Sequence, residues 1–408
     1  MVADVVPLLA LVALLVVAYR HPPEWLEALA AVLAAGAVLL TGAVGHADLT
    51  AERHHLVPVV LFLVAILVVA ECCRAAGLFT AIGTRLAGAG SAGRVFALAF
   101  AVAAVTTVAL SLDATVVLVT PVVLAAARAQ RLEDRPYLLV CVRLANVASL
   151  LLPVSNLTNL LALPALDLSV ARFALLMAPV WVLVLVLEYA AHRVRFAGVL
   201  HAPTSTEGLE VQPVPRVPLL VVALMLAAFA VLRSVDPAWI AGAAALVLVV
   251  RGLRRGELGI PALARSAHLS FALFVLGLGL VVAALGNGAA GDRLADLVPQ
   301  GNGLPDLLAV AFLGAALSNV VNNLPATLLL VPLVAPLGTV PVLATLIGIN
   351  LGSSMTWTGS LANLLWRRTV LRSGAQVSSR DFHVLGWTVT PVSIAAGVVV
   401  LHVWSGLV

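Results

Sequence analysis

The chain is a succession of apolar runs, near residues 5–19, 26–45, 56–70, 95–127, 137–166, 173–190, 217–233, 238–250, 269–286, 304–337, 340–366 and 383–405, with nearly all of its charges in the gaps. About 20 apolar residues in a helix cross about 30 Å of hydrocarbon, and lipid admits only elements whose backbone groups are satisfied internally. Helices that cross a bilayer repeatedly are therefore what this pattern permits. A soluble domain would carry roughly 25% charged residues. Here the figure is 10%, against 62% hydrophobic residues and a mean hydropathy of +1.13. The fold class is all-α and polytopic.

The same pattern excludes several functions. A net charge of +4 is spread over short loops, which leaves no basic footprint for nucleic acid. Three cysteines exclude a disulfide framework, and their spacing offers no zinc site. Cys72 and Cys73, in Glu71-Cys72-Cys73-Arg74, read as small apolar residues at a span end rather than as a thiophilic site. The histidines fall in loops or near span ends, which argues against a buried metal. No grouping of His, Asp and Ser suits an intramembrane enzyme, and no motif calls for a cofactor. Val5–Ala18 has no basic residue before it and no small-residue cleavage site after it, so it reads as a retained span.

The runs 95–127 and 304–337 are too long for one straight span, and each breaks at a polar tip, Ser111-Leu112-Asp113 and "SNVVNNLPAT" (318–327). All 23 basic residues are Arg. If these two runs return to the side they came from, and 137–166 and 340–366 each cross once, 18 arginines share one side. Arg53, Arg172, Arg233 and Arg293 face the other, and Arg143 lies inside a span. The arginine-rich side is then cytoplasmic, with both termini outside. A hairpin and a double crossing restore the same side, so arginine counting fixes parity only. Arms of about 15 residues favour re-entrant hairpins, one dipping from each side, among about ten spans.

A Pro-rich polar linker, "HAPTSTEGLEVQPVPR" (201–216), divides the chain into 1–200 and 217–408. Transporters are often built from inverted halves, which prompts a search for a repeat. Setting "NVASLLLPVSNLTNLL" (146–161) against "NLGSSMTWTGSLANLL" (350–365), at an offset of 350 − 146 = 204, aligns Asn146 with Asn350, Ser149 with Ser353 and Asn159 with Asn363. The hairpins pair as well, Ala114-Thr115 with Ala326-Thr327 at an offset of 212. Each half is expected to supply one re-entrant hairpin and one broken transmembrane helix.

Broken helices persist in a membrane only where protein or a water-filled cavity satisfies their backbone. Their exposed N-termini carry partial positive charge and free N–H donors, and side-chain amides add donors and acceptors. Such a place suits a small, oxygen-rich solute. Single Asn and Ser residues in spans more often cap helices or bond between them, but clusters in two symmetric pairs point to a site. Asp113, at a hairpin tip deep in apolar sequence, costs about 2.5–3.5 kcal/mol to insert, so it is expected to be functional or paired. Arg143 is its expected partner, either as a neutralising ion pair or as a proton-coupling switch.

The stretches "DATVVLVTPVVLA" (113–125), "ASLLLPVSNLTNLL" (148–161), "NNLPATLL" (322–329) and "GSLANLLWRR" (359–368) resemble the arsenite/antimonite efflux permeases, the ArsB type, of the ion transporter superfamily. The resemblance spans nearly the whole chain in matching order. It implies an inverted-repeat permease of the cell membrane, commonly a dimer, that exports trivalent arsenic or antimony in exchange for protons. Some relatives of that type dock a soluble ATPase. By position, Asp113, Ser155, Asn156, Asn159, Asn322, Asn323, Gly359 and Ser360 would line the site. Family members usually carry Asn-Asp at the first tip, where this chain has Leu112-Asp113, and tend to carry Asp where it has Asn146 and Asn350. A site rich in amides suits a neutral polyol-like solute and leaves Asp113 to carry the proton coupling. The rival cargo, on the same fold, is sodium in exchange for protons or a carboxylate or other anion in symport.

Overall fold

Lipid tails are as apolar as leucine, so burial of apolar surface does not hold membrane helices against one another; close approach of small residues and interhelical hydrogen bonds do. In a computed structural model, residues 2–20, 23–42, 44–201, 211–232 and 234–408 are described, and all regular structure among them is helical. Most of the expected linker, 202–210, lies outside the described residues. Its end is tied back to the first half: Gln212 N–H donates to Thr84 Oγ1 at 3.2 Å, and Arg85 Nη1 donates to the Gln212 carbonyl at 2.7 Å.

The first half runs through α1 (Val2–Arg20), α2 (Glu24–Leu40), α3 (His46–Ala75) and α4 (Leu78–Ala87) to a hairpin. The hairpin's first arm is α5 (Ala92–Ala109); the second is α6 (Leu112–Ala114), a π turn (Thr115–Val119) and α7 (Thr120–Ala129). Then come α8 (Asp134–Val147), a break, α9 (Leu157–Leu166) and α10 (Val170–Arg195). The second half repeats this order with α11 (Arg216–Val231), α12 (Pro237–Arg254), α13 (Ile260–Ser266), α14 (Leu269–Gly286) and α15 (Ala289–Ala295). Its hairpin is α16 (Leu304–Val321) and α17 (Asn323–Val334), followed by α18 (Thr339–Gly352), a break, α19 (Leu361–Arg372) and α20 (Ser379–Ser405). Eight helical segments among the described residues are long and apolar enough to cross a membrane. Shorter apolar helices, including α1, α2 and α11, accompany them.

The packing is exchanged between halves. Helix α3 lies on α12 and α14 on α2, each pairing one half with the other, while α1 follows α2 and α14, and α11 follows α12. This group frames a second body in which α10 packs on α20, α16 on α18 and α20, and α5 and α7 on α8. The two groups touch where α9 meets α3 and α17 meets α14.

Hairpin length turns out not to be the argument for re-entrance. The arms 92–109 and 112–129 have 18 residues each, not about 15, and are long enough to cross. What fixes their depth is docking at the tips. Ser155 Oγ in the first break donates to the Val108 carbonyl at 3.0 Å, and Asn322 Nδ2 donates to the Thr358 carbonyl in the second break at 2.9 Å. Each tip thus stops where a spanning segment is interrupted. The protein is two inverted repeats, each with a re-entrant hairpin and a broken helix.

A polar contact ties the arms of the first hairpin together. Pro121, which lacks an N–H, follows the π turn, and Thr107 and Thr115 share a 2.8 Å hydroxyl contact between the arms. In the second half the arm α16 lies so close to α18 that a Cβ on Gly348 would overlap the Ala311 carbonyl. Gly348→Ala is expected to lower the unfolding midpoint in detergent by the equivalent of about 1–3 kcal/mol. Gly242→Ala, in α12 with nothing within 4 Å of the added carbon, should leave that midpoint unchanged or slightly raised.

Candidate functional site

The breaks are closed by four asparagines that reach across the repeat. Asn146 Nδ2 donates to Asn363 Oδ1 at 2.8 Å, and Asn350 Nδ2 donates to Asn159 Oδ1 at 2.7 Å. The two bonds are related by the offset of 204. Each acceptor then uses its own Nδ2 on two carbonyls left open by its break: Asn159 on Ser149 and Leu152 at 2.9 and 3.2 Å, Asn363 on Ser353 and Thr356 at 2.7 and 2.9 Å. All four side chains are buried. Asn350 Oδ1 also accepts from Asn156 Nδ2 at 3.2 Å and Thr158 Oγ1 at 2.6 Å, and Asn146 Oδ1 accepts from Ser353 Oγ at 3.2 Å.

Asn146, Asn156, Asn159 and Asn350, expected as ligands lining the site, are thus bonded to one another and to the breaks within the protein. Asn156 and Ser360 add a second role at matching positions, capping α9 and α19 by accepting from Thr158 N–H and Ala362 N–H, each at 3.1 Å. Gly359 is required by contact: a Cβ there would overlap the Ser353 carbonyl. Ser155 is committed to Val108, as above.

Asn322 caps α17 with φ 77° and ψ 158°, a region that only glycine adopts freely and that costs about 1–3 kcal/mol. Its amide bond to Thr358 offsets that strain. Pro325 follows in the first turn, where its missing N–H is harmless. Asn323 is buried, yet its carboxamide makes no hydrogen bond among the described residues.

Asp113 stands apart from all of these. Two cavities, of about 740 and 230 Å³, meet at its side chain together with Leu67, Val117 and His268. The larger is walled by Glu71 and Arg74 at the end of α3 and by Arg265 before α14. The smaller runs down α19 from Leu361 to Arg368 and Arg372. Both lie on the arginine-rich side, between the framing helices and the first hairpin; Asn322 and Asn323 line neither. Among the described residues the Asp113 carboxylate has no hydrogen bond or ion pair.

The expected Asp113–Arg143 pair is therefore corrected. Arg143 is bound to Glu188 of α10, with Nε on Oε2 at 3.2 Å and Nη2 on Oε1. The acid sequence reading missed, Glu188, lies in the run 173–190, where a lone carboxylate in apolar sequence was the available signal. His192, one turn on and in the last turn of α10, is fully buried, and its Nδ1 lies 2.9 Å from the Glu188 carbonyl. No group of three or more His, Cys, Asp or Glu among the described residues is placed to hold a metal. Asn319 was also overlooked as a single residue: its Nδ2 joins α16 to the Gly352 carbonyl at 2.8 Å, and its Oδ1 accepts from Thr356 Oγ1 at 2.7 Å.

Paired breaks, docked hairpins and a cavity reaching a lone carboxylate, among helices long and apolar enough to span, are the parts of a multi-pass membrane transporter. The model of the CitMHS citrate transporter family matches residues 12–342, and the chain belongs to that family. An uncharacterized transporter of Mycobacterium tuberculosis is 27% identical over 370 residues, covering 84% of this chain and 85% of the relative. The arsenical pump membrane protein of Escherichia coli K12 is 29% identical over 255 residues, covering 58% of this chain and 59% of the relative. Among solved structures, the Alcanivorax borkumensis YdaH transporter shares the fold, with a TM-score of 0.54 at 18% identity over 88% of this chain and 87% of that one. The broader family is thereby established, with arsenical pumps among the relatives.

If the asparagines form one clasp, the two halves of it should be equally costly to open. Asn363→Ala and Asn159→Ala are each expected to lose about 2–3 kcal/mol of stability, because each orphans two buried carbonyls and one partner amide. Unfolding midpoints of the purified variants check this, and tolerance of alanine at either position would show that the bonds are not shared evenly.

Proposed function

We propose that the protein exports arsenite or antimonite in exchange for protons, with Asp113 as the proton carrier. The observation that carries this reading is the lone carboxylate at the meeting point of two cavities that open toward the arginine-rich side, which is cytoplasmic by the positive-inside rule. Undissociated arsenite presents hydroxyl groups that donate and accept hydrogen bonds. An ionised Asp113 accepts from them, and a protonated one loses much of that capacity. Proton and solute then compete for one group, and such competition is what exchange requires.

In this proposal the solute passes from the cavity at Asp113 to the hairpin and break residues, which frame it there. Asn323 offers its uncommitted amide and Ser360 its hydroxyl proton, while Ser155, Asn156, Asn322 and Gly359 set the shape, and Asn146, Asn159 and Asn350 brace it. At the start of α19, where Ser360 takes the Ala362 and Asn363 N–H groups, the Leu361 N–H is left beside the cavity. The repeats extend over 1–200 and 217–408, joined by the cytoplasmic linker 201–216. A homodimer and a soluble ATPase partner are carried over from the ArsB-type resemblance, and relatives named as arsenical pump membrane proteins support the cargo.

A second reading has its own support. The matched family is described as a citrate transporter, and Arg265, Arg368 and Arg372 line the cavities that reach Asp113. Guanidinium groups pair with carboxylates in a bidentate manner, so a carboxylate symporter would use these walls.

An efflux-deficient host expressing the chain is expected to grow at arsenite concentrations that stop the empty-vector strain, and Asp113→Asn, inserted at equal level, to lose most of that protection. A wild-type chain that gives no protection but accumulates labelled citrate in vesicles replaces the arsenite reading with the carboxylate one. Undiminished protection by Asp113→Asn keeps the cargo and removes Asp113 as the proton carrier.

A further inference from the structure

The Arg143 guanidinium joins four parts of the body that carries the hairpins. From α8 it reaches Glu188 on α10, Thr390 Oγ1 on α20 at 3.1 Å through Nη2, and the Ser354 carbonyl at 3.2 Å through Nη1. Arg143 and Glu188 are 1% and 0% exposed. Ser354 lies just beyond α18 and its C-cap Ser353, so its carbonyl belongs to irregular chain with no helical partner. The chain from there to α19 is the second break.

The first break is held differently. The offset of 204 places Ile347 opposite Arg143 and Leu150 opposite Ser354, so no charge stands at the matching position. The carbonyl at Ala148 takes the Trp181 indole N–H at 3.0 Å, as its counterpart Gly352 takes the Asn319 amide at 2.8 Å, so the neutral contacts match and the charged one does not. A buried ion pair seldom adds stability over apolar side chains of the same volume. Holding the fold together therefore does not account for a charged anchor at one break and none at the other. Around the anchor, His192 Nε2, Ser354 Oγ and Ser393 Oγ are buried without a protein hydrogen bond, so the surroundings are polar without being a closed network.

We propose that Arg143, balanced by Glu188, is a positioning residue for transport: it fixes the second break so that the start of α19 faces the cavity at Asp113. Leu361, the first residue of α19, already lines that cavity beside Asp113. The inference rests on the reading of the protein as a transporter with its site at the breaks, and not on which solute it carries.

The test is the double variant Arg143→Met/Glu188→Met, which removes both charges and leaves neither unpaired. It is expected to insert and to keep the wild-type melting temperature. Amide hydrogen exchange across 353–361 should accelerate by about tenfold, the scale of one lost charge-assisted hydrogen bond, while 148–157 exchanges as before. In vesicles, the KM for arsenite, or for citrate if that is what the wild type moves, should rise by about tenfold with Vmax largely kept, as expected when binding geometry is lost. Arg143→Lys, which keeps the charge but not the fork, should show the same local acceleration and serves if the double variant does not fold. Wild-type exchange at the second break, or equal acceleration at both breaks, would overturn the inference. The exchange measurement needs no solute, so a failure of the arsenite reading leaves it decisive.

Discussion

Everything in this fold hangs on how two interrupted helices survive in a place without water. A break leaves carbonyls and N–H groups that hydrocarbon cannot satisfy, at several kcal/mol each. Here the answer is reciprocal: each half sends an asparagine across to the other, and the receiving asparagine spends its own amide on the open carbonyls of its break. With the breaks secured, helix N-termini at α9 and α19 can stay capped and fixed, and the hairpin tips have defined backbone to dock on.

Symmetry in the clasp makes the asymmetry around it informative. On the side away from the arginines, α9 lies on α3 and α17 on α14, so the frame and the inner body are in contact. On the arginine-rich side the matching space is the pair of cavities that reach Asp113. The first tip presents a carboxylate into that space, and the second holds an asparagine in a strained backbone against Thr358. The two ends of the site therefore differ in charge, in exposure and in how their backbone is held.

Much of this was legible in the sequence because polar residues in apolar runs are costly and cannot be incidental. The hairpins, the breaks, the offset of 204 and the standing of Asp113 all follow from that cost. Partners were less legible. An amide facing a solute and an amide facing another amide 191 residues away look the same in sequence, which is why Asn159 and Asn350 read as ligands. Arg143 was matched to the acid in the most conspicuous motif, whereas Glu188, followed closely by Arg193 and Arg195, resembled a span end. Hairpin depth was argued from arm length, whereas it is set by tip docking, which no local pattern records.

The clasp also dictates an order of events during synthesis. Asn146 finds Asn363 only after 217 further residues have been made, and Asn159 waits 191 residues for Asn350. Until then the first half sits in the bilayer with Asn146 and Asn159 lacking their partners across the repeat, and its broken helix lacks its outer support. The two halves are alike in plan, yet neither is a finished folding unit. The first must remain within reach, incompletely packed, until the last quarter of the chain arrives to complete it.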